Sequence, residues 1–136
     1  MNQNERNRLL AEEFRANGGR VKDFADGTVL LLTTIGKKSG RTYVTPLRYS
    51  ADGDRYVILA SHQGAATSPD WYHNLVANPE VTVEVGDEKF TARASTIANA
   101  AERQRLYDAH AAIMPQFAEY QTRTTRVIPV VVLEKI

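Results

Sequence analysis

Apolar positions change their spacing several times along the chain, and each change marks an element. From Glu5 to Asn17, Leu9, Leu10 and Phe14 fall among charged residues at helical spacing, which predicts a short amphipathic helix. Asn17-Gly18-Gly19 ends it, since these residues tolerate the left-handed backbone of a helix terminus. Thr28 to Ile35 is almost continuously apolar and rich in β-branched residues, the pattern of a buried strand. Two further strands are expected over Thr42–Ser50 and Arg55–Ser61, joined by a hairpin at Asp52-Gly53-Asp54. Val81, Val83 and Val85 alternate with Thr82 and Glu84 as in a half-buried strand. Gly86-Asp87 then turns the chain into a partner strand carrying Phe90, Ala92 and Ala94. Val127–Leu133 is the last strand, and Pro129 within it predicts an edge or a bulge.

Helices interrupt this series. Ser68-Pro69-Asp70-Trp71 reads as a serine cap, a proline at the first helical position and an acid in the first turn, with the helix ending near Asn78. Asn99 and Glu102 form a capping box for a helix reaching about Met114, and Pro115 opens a short segment over Phe117–Thr122. About six strands and three to four helices, without regular strand–helix–strand alternation, disfavour a doubly wound sheet. The expected fold is mainly β (α+β): an antiparallel, closed or nearly closed barrel with peripheral helices. It forms one domain over residues 1–136, with an N-terminal helix within 1–17.

Composition narrows the function. A net charge of +1 lacks the basic excess of a nucleic-acid binder, so no nucleic-acid partner is expected. The absence of cysteine excludes disulfides, thiolate metal sites and a cysteine nucleophile. The opening Met1–Arg6 has no apolar signal core, and Val29–Ile35 is too short to span a bilayer, which predicts a cytoplasmic protein.

Two segments carry candidate chemistry. Gly36-Lys37-Lys38-Ser39-Gly40-Arg41 sets three cations between glycines that let backbone amides approach an anion, so it can hold a phosphate or a run of carboxylates. It lacks the phosphate-loop spacing and precedes a strand, and a solvated hairpin turn is the competing interpretation. Ala60-Ser61-His62-Gln63-Gly64 leaves a strand through small residues that admit a flat ligand, with Trp71 and Asn74 on one face of the following helix. His62 and His73 lack a third ligand, so no metal is expected. No hydrolytic triad stands out, which suits a protein whose chemistry belongs to a cofactor.

These segments together resemble the deazaflavin (coenzyme F420)-dependent nitroreductase family, typified by a mycobacterial nitroimidazole-activating enzyme. The matching stretches are Leu31–Arg41, Thr45-Pro46-Leu47, Ala60-Ser61, Pro69–Leu75 with Asn78-Pro79-Glu80, and Arg126–Val130. The resemblance implies a split β-barrel of the flavin-mononucleotide-binding type. It implies that Lys37, Lys38, Ser39 and Arg41, with Gly40 in the same turn, hold the phosphate and acidic tail of coenzyme F420. Pro46, Leu47, Ala60 and Ser61 would lie along the deazaflavin ring, shielded by Trp71 and Asn74. Met114, Phe117 and Tyr120 match substrate-facing tyrosines of the family and would line the acceptor pocket, with Ser61 and Tyr120 as the catalytic candidates. Tyr43 stands where some members carry an arginine. Only Tyr120 of the three pocket residues keeps a hydroxyl, which favours an apolar acceptor such as a quinone over bulky nitroimidazoles. The implied activity is hydride transfer from reduced coenzyme F420 to a small quinone, nitro or enone acceptor. A non-catalytic F420-binding protein and an FMN-dependent barrel enzyme are the alternatives. A homodimer and a transient membrane contact are compatible with either.

Overall fold

The structure is a computed structural model that describes residues 2–26 and 28–136; Met1, at the head of the expected N-terminal segment, lies outside them. Seven antiparallel strands form one sheet: β1 (Val29–Ile35), β2 (Thr42–Arg48), β3 (Ser50–Asp52), β4 (Arg55–Leu59), β5 (Glu80–Val85), β6 (Glu88–Thr96) and β7 (Val130–Lys135). Four α-helices accompany them: α1 (Gln3–Ala16), α2 (Asp70–Ala77), α3 (Ala100–Ile113) and α4 (Gln116–Thr122).

The strands lie in the order β2-β1-β5-β6-β7-β4-β3. β2 and β3 are the two edges, yet a single residue, Tyr49, separates them in sequence. The sheet must therefore curl until its edges meet, which makes it a split barrel. This corner also explains why seven strands stand where about six were expected. The Tyr49 amide still donates to the Thr28 carbonyl (3.1 Å) beside β1, whereas Ser50 pairs with Val57 of β4. The residue pattern stays strand-like through the bend while the pairing partner changes.

Leu30, Leu32, Ile58, Val83, Val131 and Leu133, drawn from four strands, form the interior, with Trp71 and Leu75 of α2 packed against them. Their neighbours face outward: Val29 and Leu31 meet Ala11 and Phe14 of α1, and Val57, Val130 and Val132 meet Leu106, Met114 and Phe117. Helical cover on the outer face is why β1 reads as a continuous apolar run. Of the residues expected on the apolar side of α1, Phe14 is buried and Leu10 packs beside it, whereas Leu9 is 42% exposed and Ala11 takes its place.

Asn99 caps α3 by accepting from the Glu102 amide (2.9 Å), as its spacing predicted. Ser68 does not cap α2: Pro69 takes the cap position, and the Ser68 hydroxyl accepts from Arg126 (3.1 Å). Pro129 marks neither an edge nor a bulge. It precedes β7, an interior strand, where its missing N–H breaks no ladder bond and its carbonyl accepts from Ala60 (3.0 Å).

An ion-pair network ties the β3–β4 hairpin to the start of α3. Arg105 and Arg55 both donate to Asp52, and both also reach Glu102. Hydrogen bonds from Arg105 and then Arg55 hold the Asp52 carboxyl well below its ordinary 3.8, at about 2. A carboxyl depressed in the folded state stabilises above its unfolded value and loses that contribution as pH falls through the folded one. Melting temperature should therefore decline from about pH 4 toward about pH 2, and an Asp52→Asn variant should melt lower at neutral pH with a shallower acid decline. Parallel acid limbs in the two proteins would contradict this.

Candidate functional site

The basic turn between β1 and β2 is closed by its own backbone. The Gly36 amide donates to the Arg41 carbonyl (2.7 Å), and Gly40, at φ +70°, returns its amide to the Gly36 carbonyl (3.0 Å). Ser39 Oγ accepts from the Arg41 amide (3.2 Å) and lies 3.1 Å from the Tyr43 hydroxyl. Helix α2 is tied to the same turn: the Lys37 amide donates to Asn74 Oδ1 (3.0 Å), and Asn74 Nδ2 reaches Thr34 Oγ1 (3.4 Å). Lys37, Lys38 and Arg41 are exposed, and among the described residues none forms an ion pair. Three exposed cations within five residues, none paired with a carboxylate, make an electrostatic site for an anion.

An open cavity of about 1000 Å³ runs from this turn across the end of the barrel. Lys37, Lys38 and Ser39 line it at the turn; the rest of the wall is mixed, with Leu47, Leu59, Trp71 and Phe117 beside polar side chains such as Ser61, His62, Asn74 and Asp70. Such a volume is at the upper end for a small-molecule site and admits a fused three-ring system with a charged tail. The residues thus fit a deazaflavin coenzyme: cations for an acidic tail, and an indole and apolar side chains beside hydrogen-bonding groups for a polar-edged ring.

The expected site residues divide by strand alternation. Tyr43, Thr45 and Leu47 of β2 line the cavity, so Pro46 between them belongs to the opposite face, paired with Leu31. Ala60, one residue past the end of β4, is fully buried, while its neighbours Leu59 and Ser61 line the cavity. Asn74 lines it too, with its amide oxygen already accepting from Lys37. Gly40 and Arg41 sit at the turn without lining the cavity, and Met114 is buried beneath it, its sulfur 3.8 Å from Thr28 Oγ1. Tyr120 stands behind Phe117, ring centroids 5.3 Å apart, and does not line the cavity. Phe117 is supported from behind by His110, edge-on at 4.5 Å. Burial pushes the His110 imidazole down to about 4, so it is neutral at ordinary pH, with Nδ1 bonded to Ser50 Oγ (2.8 Å).

Several lining residues carried no sequence signal that singled them out. Gln3, Asn4 and Asn7 bring the polar side of α1 to the cavity, and Gln3 donates to the buried Asn7 (2.7 Å). Amides at one-turn spacing on a helix otherwise rich in charge are the trace that was available. His62 and Gln63, from the loop expected to admit a ligand, line it as well, in the left-handed region at φ 48° and 54°. No group of three or more histidine and carboxylate side chains among the described residues can hold a metal, and no helix is long and apolar enough to cross a membrane.

A family model described as F420H(2)-dependent quinone reductase matches residues 6–135. An F420H(2)-dependent quinone reductase of Mycobacterium tuberculosis is 39% identical over 132 residues, covering 94% of this chain and 89% of that protein. Among solved structures, an F420-H2 dependent reductase superposes with a TM-score of 0.72 at 36% identity, covering 79% of this chain and 94% of its own. A second, a domain-swapped dimer, reaches 0.74 at 33% identity, covering 93% and 96%.

Proposed function

Because the chain belongs to the F420H(2)-dependent quinone reductase family, we propose that it reduces a small quinone with electrons from reduced coenzyme F420. The observation that carries this reading is one continuous cavity lined both by the unpaired cations Lys37 and Lys38 and by the flat or apolar side chains Leu47, Trp71 and Phe117. When bound, the reduced coenzyme supplies a hydride, and with one proton from the medium a quinone becomes its hydroquinone.

The protein's own part is binding, orientation and exclusion of water. The side chains of Lys37 and Lys38, with Ser39 beside them and Arg41 at the flank of the turn, would hold the phosphate and the acidic tail, while Gly40 lets the turn close on itself. Leu47 and Trp71, both on the cavity wall, would hold the ring, while Pro46 and Ala60 would support that wall from behind. Asn74 keeps the basic turn against α2. Ser61, 7% exposed and on the cavity wall, donates a hydroxyl hydrogen bond to the ring or to the acceptor oxygen. Phe117 is the apolar wall for the acceptor, with Met114 and Tyr120 packed behind it. Since Tyr120 stands off the cavity, the proton is drawn from water at the open mouth rather than from its phenol.

An apolar acceptor fits a cytoplasmic enzyme that meets its quinone at a membrane surface. A homodimer belongs to the same reading, supported by a structural neighbour described as a domain-swapped dimer. The test mixes purified protein with reduced coenzyme F420 and menadione and follows the return of the oxidised deazaflavin absorbance. Catalytic oxidation is expected. Tight coenzyme binding without turnover on menadione or a nitroimidazole would instead indicate a binding protein, and a copurified ordinary flavin would indicate an FMN enzyme.

A further inference from the structure

We infer that Arg126 is a positioning residue for the proposed reaction, holding the Ser61–Gln63 turn in shape against the cavity; the inference rests on the deazaflavin reading of that cavity. The turn is unusual backbone. Ser61 is right-handed helical (φ −76°, ψ −35°), and His62, Gln63 and Gly64 follow in the left-handed region at φ 48°, 54° and 81°. Two consecutive non-glycine residues there are strained and persist only where the surroundings over-determine them.

The turn closes partly on itself, the Gly64 amide donating to the Ser61 carbonyl (2.9 Å) and the Ala65 amide to the His62 carbonyl (3.0 Å), and Arg126 clamps it from outside. Its Nη2 donates to the carbonyls of Ala60 (3.1 Å) and Ser61 (2.8 Å), before the left-handed run. Its Nε donates to the Ala65 carbonyl (2.9 Å) and its Nη1 to Ser68 Oγ (3.1 Å), beyond it. One planar guanidinium thus staples both ends of the turn. Every acceptor is neutral, and among the described residues Arg126 forms no ion pair, so its donors are spent on shape. Arg126 is itself anchored, since its carbonyl accepts from Gln121 of α4 (2.8 Å).

The consequence reaches the cavity because Ser61, His62 and Gln63 all line it. With the carbonyls of Ala60 and Ser61 turned to Arg126, a right-handed residue followed by left-handed ones brings successive amide N–H groups to one side. A lysine carries the charge but cannot span four acceptors, because only the guanidinium offers a rigid fork of donors. Shape and charge are therefore separable by substitution.

The experiment compares wild type, Arg126→Lys and Arg126→Ala by amide hydrogen exchange of the protein without coenzyme, then by fluorescence titration with oxidised coenzyme F420. In Arg126→Lys, exchange over residues 61–65 is expected to quicken about tenfold while the barrel strands keep their protection. The coenzyme dissociation constant should rise by about tenfold. Added guanidinium chloride at sub-denaturing concentration should restore affinity to Arg126→Ala, and sodium chloride at equal ionic strength should not. Unchanged loop exchange and affinity in Arg126→Lys would overturn the inference, as would a protection loss spread evenly over the barrel without rescue. Wild type that fails to bind the coenzyme while the exchange pattern holds would refute the deazaflavin reading and leave the staple standing.

Discussion

Replacing Lys37 and Lys38 together by alanine weakens binding of oxidised coenzyme F420 by about a hundredfold. Hydrogen bonds to charged groups contribute about 1.5 kcal/mol each at the low end, and two of them sum to about 3 kcal/mol, or two decades of affinity. The double variant should melt like wild type, because both side chains are exposed and neither takes part in an ion pair among the described residues. Ionic strength gives an independent check. Salt screens exposed charge, so raising it should erode wild-type affinity strongly and that of the double variant far less. Fluorescence titrations at low and high salt measure both effects. Equal affinities in the two proteins would remove the basic turn from the site.

The second large effect falls on stability. Gly64→Ala puts a β-carbon on a residue at φ +81°, where it would stand 2.7 Å from the Tyr120 carbonyl oxygen and 2.8 Å from Arg123 Cβ. Left-handed strain costs about 1–2 kcal/mol and overpacking about 1–3 kcal/mol. A loss of about 3 kcal/mol in a domain of this size lowers the melting temperature by roughly 10 °C. Gly53→Ala is the matched control: φ is +61° there too, but nothing lies within 4 Å of the added carbon, so only the strain remains. Scanning calorimetry of the two variants separates the terms. An equal drop in both would show that the contact between the Gly64 turn and α4 carries no weight. The Gly64 variant should also bind coenzyme poorly, since α4 carries Phe117 into the cavity.

The elements that local chemistry specifies were legible in the residues. The Asn99–Glu102 cap, the buried run of β1 and the alternating valines of β5 each follow from a pattern read over a few positions. The basic turn was legible as an anion site because Lys37, Lys38 and Arg41 are adjacent in sequence. What escaped depends on partners far along the chain. The corner at Tyr49 keeps a strand-like pattern while its pairing passes from β1 to β4, so no local signal divides β2 from β3. The resemblance matches Pro46 and Ala60 to the ring, yet alternation along β2 turns Pro46 away between Thr45 and Leu47, and Ala60, just past β4, is fully buried. Tyr120 was expected beside the acceptor, but α4 presents Phe117 to the cavity and holds Tyr120 behind it. Arg126 lay in a matching stretch without a role, because three of its four acceptors are carbonyls about 60 residues away, and carbonyls leave no mark in a sequence.

The central claim is that one cavity binds the tail of coenzyme F420 at the basic turn and its ring beside Ser61 and Trp71. A crystal structure of the protein with oxidised coenzyme F420 measures this directly. The account predicts tail carboxylates or phosphate in hydrogen-bond contact with the side-chain nitrogens of Lys37 and Lys38, and the ring between Leu47 and Trp71. A coenzyme whose acidic end lies away from both lysines, or whose ring sits outside the Trp71 slot, would contradict it.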